Sequence, residues 1–239
     1  MKNAIFQVFN GDLLGYGKCL KATEHYCYKH DIRLYRSFYT KLSDRDFSLE
    51  KIMSLGLLHM FDRVLSLDGD IMITPDARNI FEMYPEEDTL YAYHENDSND
   101  HMDRSKYIAE VHGDLDWPTM SNECKQYFNA GVMLWSKGCF KDPKDIETFA
   151  DSVWQVPKKQ NTFYFGEQTA LNYAVVKNNI KFSSISHSFN RMDLGNFDPS
   201  CDRYTADFIH YAGPCKYALP GESKRDCMER DYKALYDKK

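Results

Sequence analysis

Two carboxylates, Asp68 and Asp70, close the apolar run Val64-Leu65-Ser66-Leu67, with a single glycine between them. Carboxylates this close repel each other unless a cation sits between them. Oxygen ligands suit Mg²⁺ or Mn²⁺, and those ions also bridge to diphosphate oxygens. In open α/β sheets, ligands bind beyond the carboxyl ends of the strands, which is where this pair falls. Gly69 would let the backbone approach a ligand closely. The same three residues also suit an ordinary turn, and on its own the segment leaves both readings open.

Three further segments carry candidate chemistry. In Phe208-Ile209-His210-Tyr211-Ala212-Gly213, with Lys216 close behind, a histidine at the end of a short apolar strand offers an imidazole ligand and the lysine a cation for phosphate;. Taken alone, the segment is better read as a core histidine and a surface lysine. In Tyr127-Phe128-Asn129-Ala130-Gly131-Val132, small residues make room for a flat ligand and Asn129 offers both a donor and an acceptor to hydroxyls;. The alternative there is a bulge leading into a core strand. Gly166-Glu167-Gln168 opens a helical pattern running through Leu171 and Asn172. An acid in a first helical turn is favoured by the helix dipole whatever its function.

The elements that must position these residues follow from the hydrophobic pattern. Apolar runs of strand length alternate with helical spacing, which predicts an α/β fold with a largely parallel sheet. Strands are expected at Ala4–Phe9, Ile32–Tyr35, Arg63–Leu67, Leu90–Tyr93, Phe128–Trp135 and Phe208–Tyr211. Helices are expected at Lys18–His30, Leu49–Phe61, Asp145–Trp154 and Glu167–Val176, with Gly11–Gly17 a loop. The polar stretch His94–Lys106 reads as a long loop. Residues 1–220 are expected to form one domain. Residues 221–239 form a charged amphipathic helix whose Met228, Tyr232, Leu235 and Tyr236 share a face that packs back on it;.

Composition bounds the rest. The chain has 239 residues and a net charge of -6, which gives no electrostatic footprint for nucleic acid;. No apolar run is long enough to span a membrane, and Met1–Phe9 is too short in apolar residues for a signal peptide;. Seven scattered cysteines without a CxxC pair read as reduced thiols in a cytoplasmic setting;.

Taken in order, Leu67-Asp68-Gly69-Asp70, Phe128-Asn129-Ala130-Gly131-Val132, Glu167-Gln168 with Leu171-Asn172, and His210-Tyr211-Ala212-Gly213-Pro214-Cys215-Lys216 resemble glycosyltransferase family 8 and its relatives. That group includes glycogenin and the bacterial lipopolysaccharide galactosyltransferases. The resemblance runs from the first strand to about Leu219, and the length suits the compact viral and bacterial members.

It implies a GT-A fold, meaning a Rossmann-like, mostly parallel central sheet flanked by helices. It also implies a UDP-sugar donor, Mn²⁺ (or Mg²⁺), a glycan or other hydroxyl acceptor, and retention of configuration. A homo-oligomer is compatible with it. By this resemblance the metal ligands fall on Asp68, Asp70 and His210, and nucleotide contacts on Val8, Phe9, Asn10 and Tyr16. Lys51 becomes the basic donor contact, Lys216 with Gly213 the phosphate contact, and Asn129 beside Ala130 the sugar contact. Glu167 and Gln168 take the catalytic-region acid and amide, with the Gln168 oxygen facing the sugar carbon.

Three departures stand out. Gly69 replaces the usual Asp or Ala, Glu167 the usual Asp, and Lys216-Tyr217-Ala218 the usual Lys-Pro-Trp. They bear on sugar identity more than on fold. Acceptor candidates are His94–Lys106, Asp114–Trp117 and the cluster Asn190, Arg191 and Asp193. Two rival functions are a sugar-nucleotide nucleotidyltransferase and an inactive nucleotide- or sugar-binding module. The loop after the first strand is poor in the basic residues that grip a triphosphate, which counts against the first. The joint presence of Asp68, Asp70 and His210 counts against the second.

Overall fold

A computed structural model describes residues 1–9, 13–38, 47–95, 127–155, 166–192, 202–213, 215 and 217–237. In chain order the main elements are β1 (Asn3–Phe9), α1 (Leu13–His30), β2 (Arg33–Phe38), β3 (Arg63–Asp68), β4 (Ile71–Ile73), β5 (Leu90–His94), β6 (Phe128–Ser136), α2 (Pro143–Gln155), α3 (Gly166–Lys177), β7 (Phe182–Ser184), β8 (Phe208–His210) and α4 (Lys224–Tyr236). Six strands form one sheet in the order β2-β1-β3-β6-β5-β7. Only β6 runs against the others, so the sheet is mostly parallel. β4 and β8 form a separate antiparallel pair.

Period-two side-chain alternation sorts the sheet's two faces. Phe6, Val8, Val64, Ala92, Met133 and Trp135 point to one face, covered by α2, α3 and the helical segment 47–59. Ile5, Leu65, Leu67, Tyr91, Val132 and Leu134 point to the other, where α1 and the β4–β8 pair lie. Proline at the first position of α2 suits a helix start;. Asp31 and Asn179, both at positive φ, follow α1 and α3. Beyond them Ile32 N–H donates to Cys27 O and Ile180 N–H to Val175 O, the reversed bonds that close a helix with a left-handed residue;.

The structure corrects several sequence expectations. α1 begins at Leu13, so Gly15 and Gly17 lie inside it rather than in a loop. A glycine lowers helix propensity by roughly 1 kcal/mol, which tertiary packing overrides. The expected helix Leu49–Phe61 is broken into 3-10 turns at Phe47–Ile52 and Leu57–His59 around a short α turn at Met53–Gly56. Its Ile52, Leu55 and Leu58 are buried as expected, while Met60 is exposed. β4 and β7, three residues each, were too short to carry a period;.

α4 starts with a reciprocal capping box between Ser223 and Asp226;. Its Cys227 and Met228 pack with Cys19 and Ala22 of α1, and Tyr236 donates to the Ile73 carbonyl. Fully buried Asp231 anchors the helix, accepting from Arg203, Arg230, Tyr204 and Tyr211. Burial would push this carboxyl up, but Arg203 above all holds it below the ordinary range. Its stabilising contribution is therefore present above the usual carboxylate pKa of about 3.9 and is lost as pH falls through the depressed folded value. Asp231→Ala leaves two guanidinium groups facing an empty carboxylate site. It is expected to cost about 3–5 kcal/mol, read as a drop in melting temperature on the order of 10 °C at neutral pH. A shift of only a degree or two would show that the cluster does not hold α4.

Candidate active site

Asp68 is the last residue of β3 and stands in register with Val8 of β1. Gln7 donates from its side chain to the Asp68 carbonyl. Gly69 follows, and a Cβ there would lie 2.7 Å from the Val8 carbonyl oxygen and 2.9 Å from Phe9. The chain's own first strand thus makes the close approach that the glycine permits. Asp70 leads into β4, and the β4–β8 register sets Ile71 opposite His210. Tyr211 N–H donates to the Asp70 carbonyl. This ladder brings His210 to the carboxylate pair across a long stretch of sequence.

The result is a cluster in which one ligand atom each from Asp68, Asp70 and His210 lies within 4.8 Å of the others. His210 Nε2 is 3.5 Å from Asp70 Oδ1 and 4.0 Å from Asp68 Oδ2. Which imidazole nitrogen carries the proton follows from the hydrogen bonds behind it. Gly131 N–H can only donate, and it donates to Asn129 Oδ1. That oxygen also accepts from Asn190 Nδ2, so Asn190 turns its oxygen to His210 Nδ1 at 2.8 Å. Nδ1 then carries a proton, which turns Nε2 toward the two carboxylates, where its lone pair would be the one offered to a metal ion;. Two carboxylates and an imidazole lone pair are a donor set that fits a divalent cation.

Two lysines face the carboxylates of the cluster. Lys51, buried behind it, reaches Asp68 at 2.8 Å, Glu167 at 3.4 Å and the Ala130 carbonyl at 3.2 Å. Burial would lower the Lys51 ammonium pKa, but Asp68 and Glu167 carry it above the usual lysine range. For Asp68 burial wins and pushes the carboxyl up, with Lys51 opposing and Asp70 adding to the rise. For Asp70, burial is outweighed by His210 and by Lys224 of α4, which hold the carboxyl well below its usual range. Lys224 Nζ is 2.6 Å from Asp70 Oδ2.

A buried polar relay lines the other side. Gln168 Nε2 donates to Glu95 Oε1, and Asn129 Nδ2 donates to the same oxygen. The Gln168 oxygen, expected to face the reacting sugar carbon, accepts from Asn129 Nδ2 and Ala130 N–H. Glu167, in the first turn of α3, is partly exposed beside Lys51.

Of the residues singled out from sequence, Val8, Phe9, Lys51, Asp68, Gly69, Asp70, Asn129, Ala130, Glu167, Gln168 and His210 gather around this cluster. Tyr16 lies near Lys224. Gly213 adopts positive φ three residues after His210. Asn10 and Lys216 lie outside the described residues, as do Asp114–Trp117, Asp193 and most of His94–Lys106. Asn190, expected to face a glycan, is fully buried and serves the histidine instead. Glu95, Asn190 and Lys224 were not recognised as site residues from sequence. For Lys224 one signal existed: a lysine at the first position of a capped helix opposes the dipole preference for acids there;.

A mostly parallel sheet with a carboxylate pair and a histidine at its carboxyl edge is the arrangement expected of a GT-A glycosyltransferase. The profile of glycosyl transferase family 8 matches residues 43–217, and the chain belongs to that family. A search of curated proteins finds no match. Among solved structures, the chain shares its fold with a glycosyltransferase involved in the glycosylation of the major capsid of PBCV-1 (TM-score 0.61, 14% identity, covering 96% of this chain and 98% of that one). It is similar to the apo form of the bifunctional glycosyltransferase WbbM (TM-score 0.59, 12% identity, 98% of this chain and 50% of that one). It is also similar to GlyE of Streptococcus pneumoniae TIGR4 (TM-score 0.57, 14% identity, 99% of this chain and 62% of that one). Family membership implies a sugar donor and an acceptor as substrates. No helix among the described residues is long and apolar enough to cross a membrane.

Proposed function

We propose that the chain transfers glucose, galactose or xylose from a UDP-sugar to a hydroxyl of a glycan acceptor, with retention of configuration. The observation that carries this reading is the convergence of Asp68, Asp70 and an oriented His210 Nε2 beside the carboxyl ends of β1 and β3. These three residues would hold Mn²⁺ or Mg²⁺, which supplies neutralisation of charge on the departing diphosphate. Val8, Phe9, Asn10 and Tyr16 border the nucleotide. Gly213 and Lys216, which come after β8 in sequence, are assigned to the phosphates.

The donor sugar is assigned to the edge formed by Asn129, Ala130 and Glu167. Lys51 fixes Glu167 by an ion pair, which suits it to accept hydrogen bonds from sugar hydroxyls. Gln168 cannot act as a base at neutral pH. With both ends of its amide committed, it is assigned to holding the Ala130 backbone and Asn129, whose own amide is equally committed, in place beneath the sugar. In transfer, the acceptor oxygen bonds to the anomeric carbon as the bond from that carbon to the diphosphate breaks. With Glu167 held by Lys51 rather than assigned as a base, the acceptor proton is assigned to the departing diphosphate oxygen on the same face, which gives retention;.

Thermal-shift screening of UDP- and GDP-sugars with Mn²⁺ tests the donor, since ligands of the native state raise its melting temperature. UDP-glucose, UDP-galactose or UDP-xylose is expected to give the largest shift. Proton NMR of the product from an α-linked donor is expected to show an α-linkage. A larger shift with GDP-sugars sinks the donor assignment, and a β-linked product sinks retention.

A further inference from the structure

We propose that Lys224 competes with the divalent ion for Asp70 and, once displaced, binds the diphosphate of the donor. The inference rests on the metal-site reading above and adds a residue from outside the four motifs. Lys224 Nζ lies 2.6 Å from Asp70 Oδ2, while the other oxygen of Asp70 faces His210 Nε2. An ion held by Asp68, Asp70 and His210 would therefore meet an ammonium group already seated on one of its carboxylates. Like charges so placed disfavour each other.

Helix formation does not explain this lysine. It occupies the first position of α4, where the helix dipole disfavours a cation;. Ser223 and Asp226 already complete the capping box. The arm is also free to turn, since the Lys224 side chain is 29% exposed and, among the described residues, Asp70 is its one carboxylate partner. Lys51 differs in both respects, being 4% exposed and tied to Asp68, Glu167 and the Ala130 carbonyl.

Charge matching points the same way. Asp68, Asp70 and Glu167 stand against Lys51 and Lys224. These five side chains carry one net negative charge, a divalent cation would turn that into one net positive charge, and a doubly negative sugar-nucleotide diphosphate would restore the original balance. The lysine that loses its carboxylate to the ion is then the cation available for phosphate, a role to which an ammonium point charge on a flexible stem is suited. Lys224 would thus weaken ion binding to the empty enzyme and strengthen nucleotide binding to the loaded one, so that ion and donor are taken up together.

Two titrations on the full chain test this, with Lys224→Gln and Lys224→Arg beside wild type. Free Mn²⁺ is followed by electron paramagnetic resonance without nucleotide, and UDP binding by calorimetry at saturating Mn²⁺. Lys224→Gln is expected to bind Mn²⁺ about tenfold more tightly and UDP about tenfold more weakly, with Lys224→Arg keeping UDP affinity near wild type. These opposite signs separate the proposal from damage to α4, which would weaken both and lower the helical circular dichroism. Affinities within about twofold of wild type in either titration, or a joint loss with loss of helix signal, overturn the inference while leaving the metal site standing. Wild-type protein that binds neither Mn²⁺ nor UDP overturns the metal-site reading and this inference with it.

Discussion

Asp70→Ala is expected to reduce sugar transfer by about 10³-fold or more, because charge developing on the leaving diphosphate loses its counter-ion in a partly dehydrated site. A loss of this size corresponds to roughly 4 kcal/mol of transition-state stabilisation. The fold is expected to persist. The Asp70 side chain is 16% exposed and its partner Lys224 29%, so the freed ammonium can return to water. Removing Asp70 also relieves repulsion of Asp68, which keeps Lys51. Backbone contacts at position 70 survive, since Tyr211 donates to its carbonyl and not to its side chain. The melting temperature is therefore expected to move by only a few degrees, while Mn²⁺ binding and Mn²⁺-dependent UDP binding are lost. Turnover of the variant within about tenfold of wild type, or full wild-type activity in excess EDTA, would show that Asp70 holds no catalytic ion.

The contrast between Asp70 and its surroundings shows what a one-dimensional pattern reveals. β1, β3 and β6 were legible because each is a buried apolar run of six to nine residues, long enough to stand out from its neighbours;. Asp68 and Asp70 were legible because they end such a run. His210 was legible as a strand-end histidine, but its meeting with Asp70 depends on the β4–β8 ladder. That ladder pairs two three-residue strands far apart in sequence, and no local signal announces the register. The helical glycines of α1 misled because propensity is a weak prior beside packing. The segment 47–59 has the right apolar residues for a helix and buries most of them, yet 3-10 turns replace a continuous α-helix.

Site polar residues split along the same line. Asn129, Glu167 and Gln168 sit in short motifs whose order carried the family resemblance. Asn190, Glu95 and Lys224 sit in no motif, and each acquires its place by tertiary contact alone. Asn190 was grouped with Arg191 and Asp193 as an acceptor candidate because burial cannot be read from residue type. In the fold, the bridge from Arg191 to Ile209 draws it beside β8 and under His210. Gly69 and Gly131 were read as leaving room for a ligand, and at both the chain itself also comes close. At Gly69 it is β1, and at Gly131 it is the catalytic-edge histidine.

Gly131→Ala tests that last point and is expected to uncouple metal binding from folding. A Cβ at this position would fall 2.4 Å from His210 Cε1, 2.9 Å from His210 Nδ1 and 2.9 Å from Asn129 Oδ1. Contacts this short force something to move. β6 lies inside the sheet, paired on both sides with β3 and β5, and its side chains are buried throughout. The imidazole borders the more open cluster of Asp68 and Asp70 and is the softer neighbour. Its displacement breaks the 2.8 Å bond to Asn190, which turns Nε2 toward the carboxylates. Losing an outer partner of a metal-ligating histidine typically lowers metal affinity about 10–100-fold, and that is the expected fall in Mn²⁺ affinity here. Overpacking by one methyl group is expected to cost about 1–3 kcal/mol of stability, leaving the protein folded at room temperature. Calorimetric Mn²⁺ titration with parallel thermal melts measures both quantities. An alanine variant that melts lower but binds Mn²⁺ within about twofold of wild type would mean that β6 yields instead of the histidine. The Gly131–Asn129–Asn190 relay would then support the strand without tuning the metal site.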